Sequence, residues 1–136
     1  MAKSKLTPKL KAKILHAAKK HAWNMGVSNY TMGLLEATDD ISRGGYHIEA
    51  EMDVDKRYLH AKLKVYPQFI KKAAKDDEFL NETIAHEMAH LVTQHFFDVA
   101  TATYRGEEEM IDAWETCTEK ISRLSLEIDR LMTKKK

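Results

Sequence analysis

An α+β domain is the fold this sequence predicts, and three observations predict it. Apolar residues recur at helical spacing near the start of the chain, alternate with polar ones in the middle, and return to helical spacing towards the end. The 136 residues suit one domain, 1–136, with a core large enough to need no staples. The expected order is an N-terminal helix, a small sheet of two or three strands, a helix near residue 77 onward and a long C-terminal helix.

Thr7 before Pro8 marks the first helix start: a hydroxyl to cap, then proline where its missing N–H costs nothing. Leu6, Leu10, Ile14, Ala17 and Ala18 fall on one face, Trp23 closes that face, and Gly26 stops the helix, which runs over about 8–23. Tyr46, Ile48, Ala50, Met52 and Val54 then alternate with His47, Glu49, Glu51 and Asp53, the period of a half-buried strand. Leu59, Ala61, Leu63 and Val65 make a second strand, with a hairpin turn at Asp55-Lys56. Residues 30–37 form a third strand, followed by a loop marked by Asp39-Asp40 and Gly44-Gly45, so the sheet occupies about 30–66.

Pro67 opens a short helical piece, and Asp76 or Asp77 caps the next helix, which runs from Phe79 to about Val99. A loop with Gly106 leads to the last helix, about 107–132. Its apolar stripe holds Met110, Ala113, Trp114, Cys117, Ile121, Leu124, Ile128 and Leu131, which is expected to face the core, with Cys117 a core thiol.

Composition narrows the function classes. Apolar residues at 43% and charged residues at 32% argue against disorder. One cysteine excludes an internal disulfide framework and a cysteine-based zinc ribbon. No apolar run is long enough for a membrane span, and the lysine-rich start lacks the apolar stretch of a secretory signal, so a cytoplasmic protein is expected. Charge is uneven: residues 1–35 hold seven lysines and no acid, and the rest of the chain has an acidic excess. A basic end can attract nucleic acid, but no arginine or aromatic pattern accompanies it, so a solvated helix face is the simpler expectation.

The chemistry-bearing string is His86-Glu87-Met88-Ala89-His90. Residues four apart on a helix stand one turn above each other, so His86 and His90 can offer two imidazoles to one metal ion. Glu87 lies about 100° round from His86, close enough to take a proton from water at the metal without being a ligand. The flanking positions 83–85, 88, 89, 91 and 92 are all uncharged. A helical wheel puts His86, His90, Thr83 and Gln94 on a polar face, and Leu80, Ile84, Met88, Leu91, Val92 and Val99 on the opposite, apolar back. Glu87-x-x-His90 is also the unit of di-iron carboxylate bundles, but that site needs a second such pair, and the sequence has none.

A catalytic zinc usually takes three protein ligands and leaves a fourth position to water. His95 falls in the middle of the apolar back and is expected to be a core or partner-facing histidine. The acidic start of the last helix is the better source, because Glu108 and Asp112 share a face. These residues resemble those of gluzincin metallopeptidases, above all the minimal ImmA/IrrE-like and phage peptidase group. The resemblance covers residues 83–92 and 108–114. It implies that Glu108 is the third ligand and that Asp112 supports a ligating histidine. Three consecutive glutamates leave Glu107 and Glu109 as alternatives to Glu108, and Glu115 and Glu119 are expected to face solvent or to stand behind the ligands.

The function expected on these grounds is a zinc-dependent endopeptidase acting on a protein or peptide. One Zn²⁺ is held by His86, His90 and Glu108, and Glu87 serves as general base and then acid. The strand at 58–66 resembles the edge strand that pairs with extended substrate in these peptidases, and an oxyanion donor is sought at Tyr104 or Arg105. The alternative is a non-catalytic zinc-containing binding or assembly module, contacting nucleic acid through the basic first helix; a structural zinc would require a fourth protein ligand.

Overall fold

The structure is a computed structural model. It describes residues 5–55, 57–103 and 107–134, without the side chains of residues 95, 96, 99–103 and 107. The chain folds as α+β in the order α1 (Pro8–Asn24), β1 (Thr31–Glu36), β2 (Ile41–Arg43), β3 (Tyr46–Ile48), β4 (Ala50–Asp55), β5 (His60–Val65), α2 (Pro67–Ala73), α3 (Asp77–Thr103) and α4 (Glu107–Lys134). Among the described residues no helix is long and apolar enough to cross a membrane.

The first helix begins as its sequence dictates. Thr7 Oγ1 accepts from the Leu10 amide at 3.1 Å, and Gly26, at φ +74°, takes the left-handed turn that ends it. Leu10, Ile14, Ala17 and Ala18 are buried, but Trp23 is 77% exposed and does not close their face. Ala22, one position earlier, takes the buried place instead. Its lysines look outward. Lys13 pairs with Asp77 and Lys20 with Asp129, each at 2.9 Å, so part of the basic end is neutralised by the chain's own acids.

Three strands form the main sheet in the order β1-β5-β4, with β1 parallel and β4 antiparallel to β5. Ala61, Leu63 and Val65 of β5 point into the core, and His60, Lys62 and Lys64 point out. The predicted single strand from Tyr46 to Val54 is broken at Glu49. Its first part pairs with Ile41–Arg43 as a separate hairpin, turning at Gly44 and Gly45, both at positive φ. The hairpin is tied to the main sheet through Glu51, which accepts from the Tyr66 hydroxyl at 2.6 Å and pairs with Arg43. β5 is the central strand, so both of its edges are used. The expectation that residues 58–66 offer a free edge to substrate is corrected: the edge beside α3 belongs to β4.

Helices α1, α2 and α3 cover one face of the sheet around Ile14, Phe69, Ile70, Ile84 and Met88. Asp76 caps α3, accepting from the Phe79 amide at 3.0 Å. α4 packs on α3 and touches α1. It does so with an unexpected face. Thr118, Ser122 and Ser125 are buried, whereas Cys117 is exposed, Leu124 is 62% exposed and Leu131 is 50% exposed. Cys117, Leu124 and Leu131 of the apolar stripe therefore face outward, Met110, Trp114, Ile121 and Ile128 are half-buried, and Cys117 is not a core thiol. Periodicity shows that a helix face is apolar, not what that face meets.

Candidate metal centre

Both histidines of the His-Glu-x-x-His string lie on α3, one turn apart, with ring centroids 5.0 Å apart and planes nearly perpendicular. The buried back of α3, Leu80, Ile84, Ala85, Met88, Ala89 and Leu91, fixes its rotation, so the opposite side turns His86 and His90 towards α4. There they meet Glu115. Its two carboxylate oxygens lie 3.4 Å from His86 Nε2 and 3.5 Å from His90 Nε2. One donor atom from each of the three residues lies within 4.8 Å of the other two. A tetrahedral zinc, with ligand bonds of about 2.1 Å, separates its ligand atoms by about 3.4 Å, so these residues have the spacing and chemistry to hold one.

The far side of each imidazole is held as well. Glu119, one turn on from Glu115, accepts from His86 Nδ1 at 3.0 Å. His90 Nδ1 lies 3.5 Å from the Thr118 hydroxyl, which is 2.9 Å from the Thr93 hydroxyl. Thr93 also reaches the Ala89 carbonyl at 3.3 Å and accepts from Trp114 Nε1 at 2.7 Å. One proton assignment satisfies this whole set: His90 Nδ1–H donates to Thr118, Thr118 to Thr93, and Thr93 to Ala89. His90 then carries its proton on Nδ1 and presents an Nε2 lone pair to the space beside Glu115. Glu119 holds the Nδ1 proton of His86, so that loss of the His86 Nε2 proton presents the same lone pair, as ligands require. The Trp114 ring packs 4.7 Å from the His90 ring and stacks on Phe97 at 4.0 Å.

Charge follows from this packing. Hydrogen bonding to Glu115 pushes His86 up to about 9, against burial and with help from Glu119. Burial holds His90 well below its ordinary value, in the neutral form. The Glu115 carboxyl is held below the usual carboxylate range by His86. Burial pushes Glu87 up to about 8; His86 opposes this, and Glu115 and Glu51 add to it. Glu87 is only 8% exposed, and among the described residues no side chain hydrogen-bonds to it. Its carboxyl lines the groove with no competing side-chain partner among the described residues, as a proton-exchanging group requires.

These groups open on a groove of about 1010 Å³, lined on one side by His86, Glu87 and His90 and on the other by β4 and the β2–β3 hairpin. The Glu82 and Gln94 side chains extend the α3 wall.

Of the residues singled out in the sequence, His86, Glu87 and His90 stand together. Glu108 and Asp112 do not join them; both are exposed, and the third carboxylate is Glu115. Glu109 is exposed as well, and the Glu107 side chain lies outside the described residues, as do the His95 side chain and all of Tyr104 and Arg105. The correction has a simple geometric cause. Glu115 and Glu119 follow Glu108 and Asp112 by seven residues, two turns and about 10 Å along the same helix face. The wheel cannot tell the two pairs apart. The hairpin register decides: Thr93 meets Thr118 across α3 and α4, which brings His86 and His90 level with Glu115 and Glu119. Comparison with protein-family models, with curated proteins and with solved structures finds no match to this chain.

Proposed function

We propose that this chain is a zinc-dependent endopeptidase of gluzincin type, with the metal held by His86, His90 and Glu115. One observation carries the reading: two imidazoles and a carboxylate offer ligand atoms that all lie within 4.8 Å of one another, beside a buried, unbonded Glu87 on the wall of an open groove. A two-histidine, one-carboxylate set suits zinc and leaves a corner of the tetrahedron for water or substrate. When bound there, zinc supplies Lewis-acid polarisation of a carbonyl and acidifies a water molecule.

The chain's own residues do the rest. Glu119 and Thr118 orient the ligating rings. Glu87 takes a proton from the attacking water and returns it to the leaving amine. An extended peptide pairs with the free edge of β4, which runs along the groove beside α3 and sets the scissile bond against Glu87. A single thiol fits the reducing cytoplasm as the site of action.

Metal analysis of purified protein beside its His86→Ala and Glu115→Ala variants tests the ligand set. A screen of unfolded protein substrates, with and without chelator, tests the reaction. One zinc per chain, lost in both variants, and cleavage abolished by chelator are expected. Protein that refuses zinc, or cleavage that survives Glu87→Ala, would overturn the proposal.

A further inference from the structure

The apolar stripe of α4, exposed at Cys117, Leu124 and Leu131 and half-buried at Met110, Trp114, Ile121 and Ile128, repeats with a spacing of its own. Met110, Trp114, Cys117, Ile121, Leu124, Ile128 and Leu131 follow one another at alternating steps of four and three. Three heptads in that rhythm form the seam of a left-handed two-helix coil, with Trp114, Ile121 and Ile128 at one seam position and Met110, Cys117, Leu124 and Leu131 at the other. A helix that only covered its own core would bury such a seam. Here α4 turns Thr118, Ser122 and Ser125 inward and leaves Leu124, Leu131 and Met132 at least half exposed.

We propose that this stripe is the interface with a second copy of this chain, packed antiparallel about a two-fold axis that passes between Ile121 and Leu124. Three observations select that occupant and that direction. First, the stripe is complementary to itself. Its N-terminal half forms an apolar groove of about 390 Å³, walled by Val92, Phe97, Met110, Trp114, Cys117 and Ile121, and its C-terminal half carries the protruding Leu131 and Met132. A two-fold axis puts the protruding end of each copy in the groove of the other: Trp114 meets the partner's Leu131, and Cys117 meets the partner's Ile128. Such a contact is isologous and closes on two subunits.

Second, the charges beside the seam match in this direction. Lys120 and Glu127 flank the seam on its solvent side, and antiparallel pairing sets Lys120 against the partner's Glu127, twice per dimer. Lys120 has no ion pair among the described residues, and Glu127 pairs only with its neighbour Arg130 on the same exposed face. Third, a parallel pair is excluded by burial. It would set Lys120 against the partner's Ser125, and Ser125 is enclosed within its own subunit against His21.

Sedimentation equilibrium of the full chain over micromolar concentrations tests the proposal, and a dimer is expected. Leu124→Glu replaces an exposed side chain and should leave the circular dichroism spectrum unchanged while raising the dimer dissociation constant about a hundredfold. Lys120→Glu and Glu127→Lys should each raise it about tenfold, because each reversal turns two attractions into two repulsions. The double reversal should restore it. Under mild oxidation, Ile128→Cys should cross-link to the partner's Cys117, and the unmodified chain should not cross-link. A monomer at all concentrations, a double reversal no better than its singles, or a Cys117–Cys117 cross-link in the unmodified chain would overturn the proposal.

Discussion

Glu119 meets His86 from behind: its carboxylate accepts from Nδ1 at 3.0 Å while Nε2 of the same ring faces Glu115. A carboxylate in that position fixes the ring and its tautomer and raises its basicity as a ligand. Glu119→Gln keeps the size and loses the charge, so it should lower zinc affinity about 10- to 100-fold without loss of folding. Glu115→Ala removes a donor and should lower it further. Glu108→Ala and Asp112→Ala, two turns away on exposed helix, should leave it unchanged. Competition against a chromophoric chelator measures all four, and a loss at Glu108 matching that at Glu115 would contradict the α3–α4 register.

Glu87→Gln separates metal binding from chemistry. The substitution keeps the shape of a side chain that is 8% exposed and ligates nothing, so zinc content should remain at one per chain. It removes the group that takes the proton, so peptide cleavage should fall by at least about 10²-fold. A variant that keeps its zinc and its rate would show that Glu87 is not the base.

Much of this architecture was legible because its signals are local. Thr7-Pro8 announces a helix start wherever the helix later packs, and Ala61, Leu63 and Val65 alternate because the sheet has one wet face. The His86/Glu87/His90 unit is local in the same sense, being one turn of one helix. The third carboxylate is not. Glu108 and Glu115 share a helical face, and only the tertiary pairing of Thr93 with Thr118 distinguishes them. A face of small hydroxyl residues at 118, 122 and 125 was the available signal for how α4 docks, since small side chains let helices approach closely. The larger apolar stripe beside it outweighed that signal. The β2–β3 hairpin was hidden for a related reason: Tyr46 to Val54 keeps its alternation through Glu49, where the chain changes sheets.

Thr93 links the site to the α3–α4 packing. Its hydroxyl accepts from Trp114 Nε1 at 2.7 Å and lies 2.9 Å from Thr118, which in turn meets His90. Thr93→Val has the same shape but strands the indole N–H and the Thr118 hydroxyl, a loss of about 1–3 kcal/mol in unfolding free energy. It also frees His90 to rotate, so zinc affinity should fall even where the variant is fully folded. Chemical denaturation and chelator competition on one preparation read the two effects. A stability loss with unaltered zinc binding would confine Thr93 to packing.

His21 gives the fold a pH dependence of its own. The imidazole is buried between three helices: Nε2 meets Asn81 Oδ1 of α3 at 2.8 Å, and Nδ1 meets Ser125 Oγ of α4 at 2.6 Å. The neutral ring satisfies both, with Nε2–H donating to Asn81 and Nδ1 accepting from Ser125. Burial, with Lys20 adding to it, holds the ring below its ordinary 6.5, against the pull of Asn81 and Asp129. As pH falls, an unfolded chain therefore takes up this proton before the folded one does. The contribution of His21 is complete above about pH 6.5 and is lost as pH drops below it, with a slope of at most about 1.4 kcal/mol per pH unit for one proton. His21→Gln can offer an amide N–H to Asn81 and a carbonyl to Ser125, but it cannot titrate. Its stability relative to the unmodified protein should therefore improve steadily as pH is lowered from 7 to 5, and urea unfolding at each pH measures that difference. A constant difference over that range would show that His21 binds its proton equally in the folded and unfolded chain.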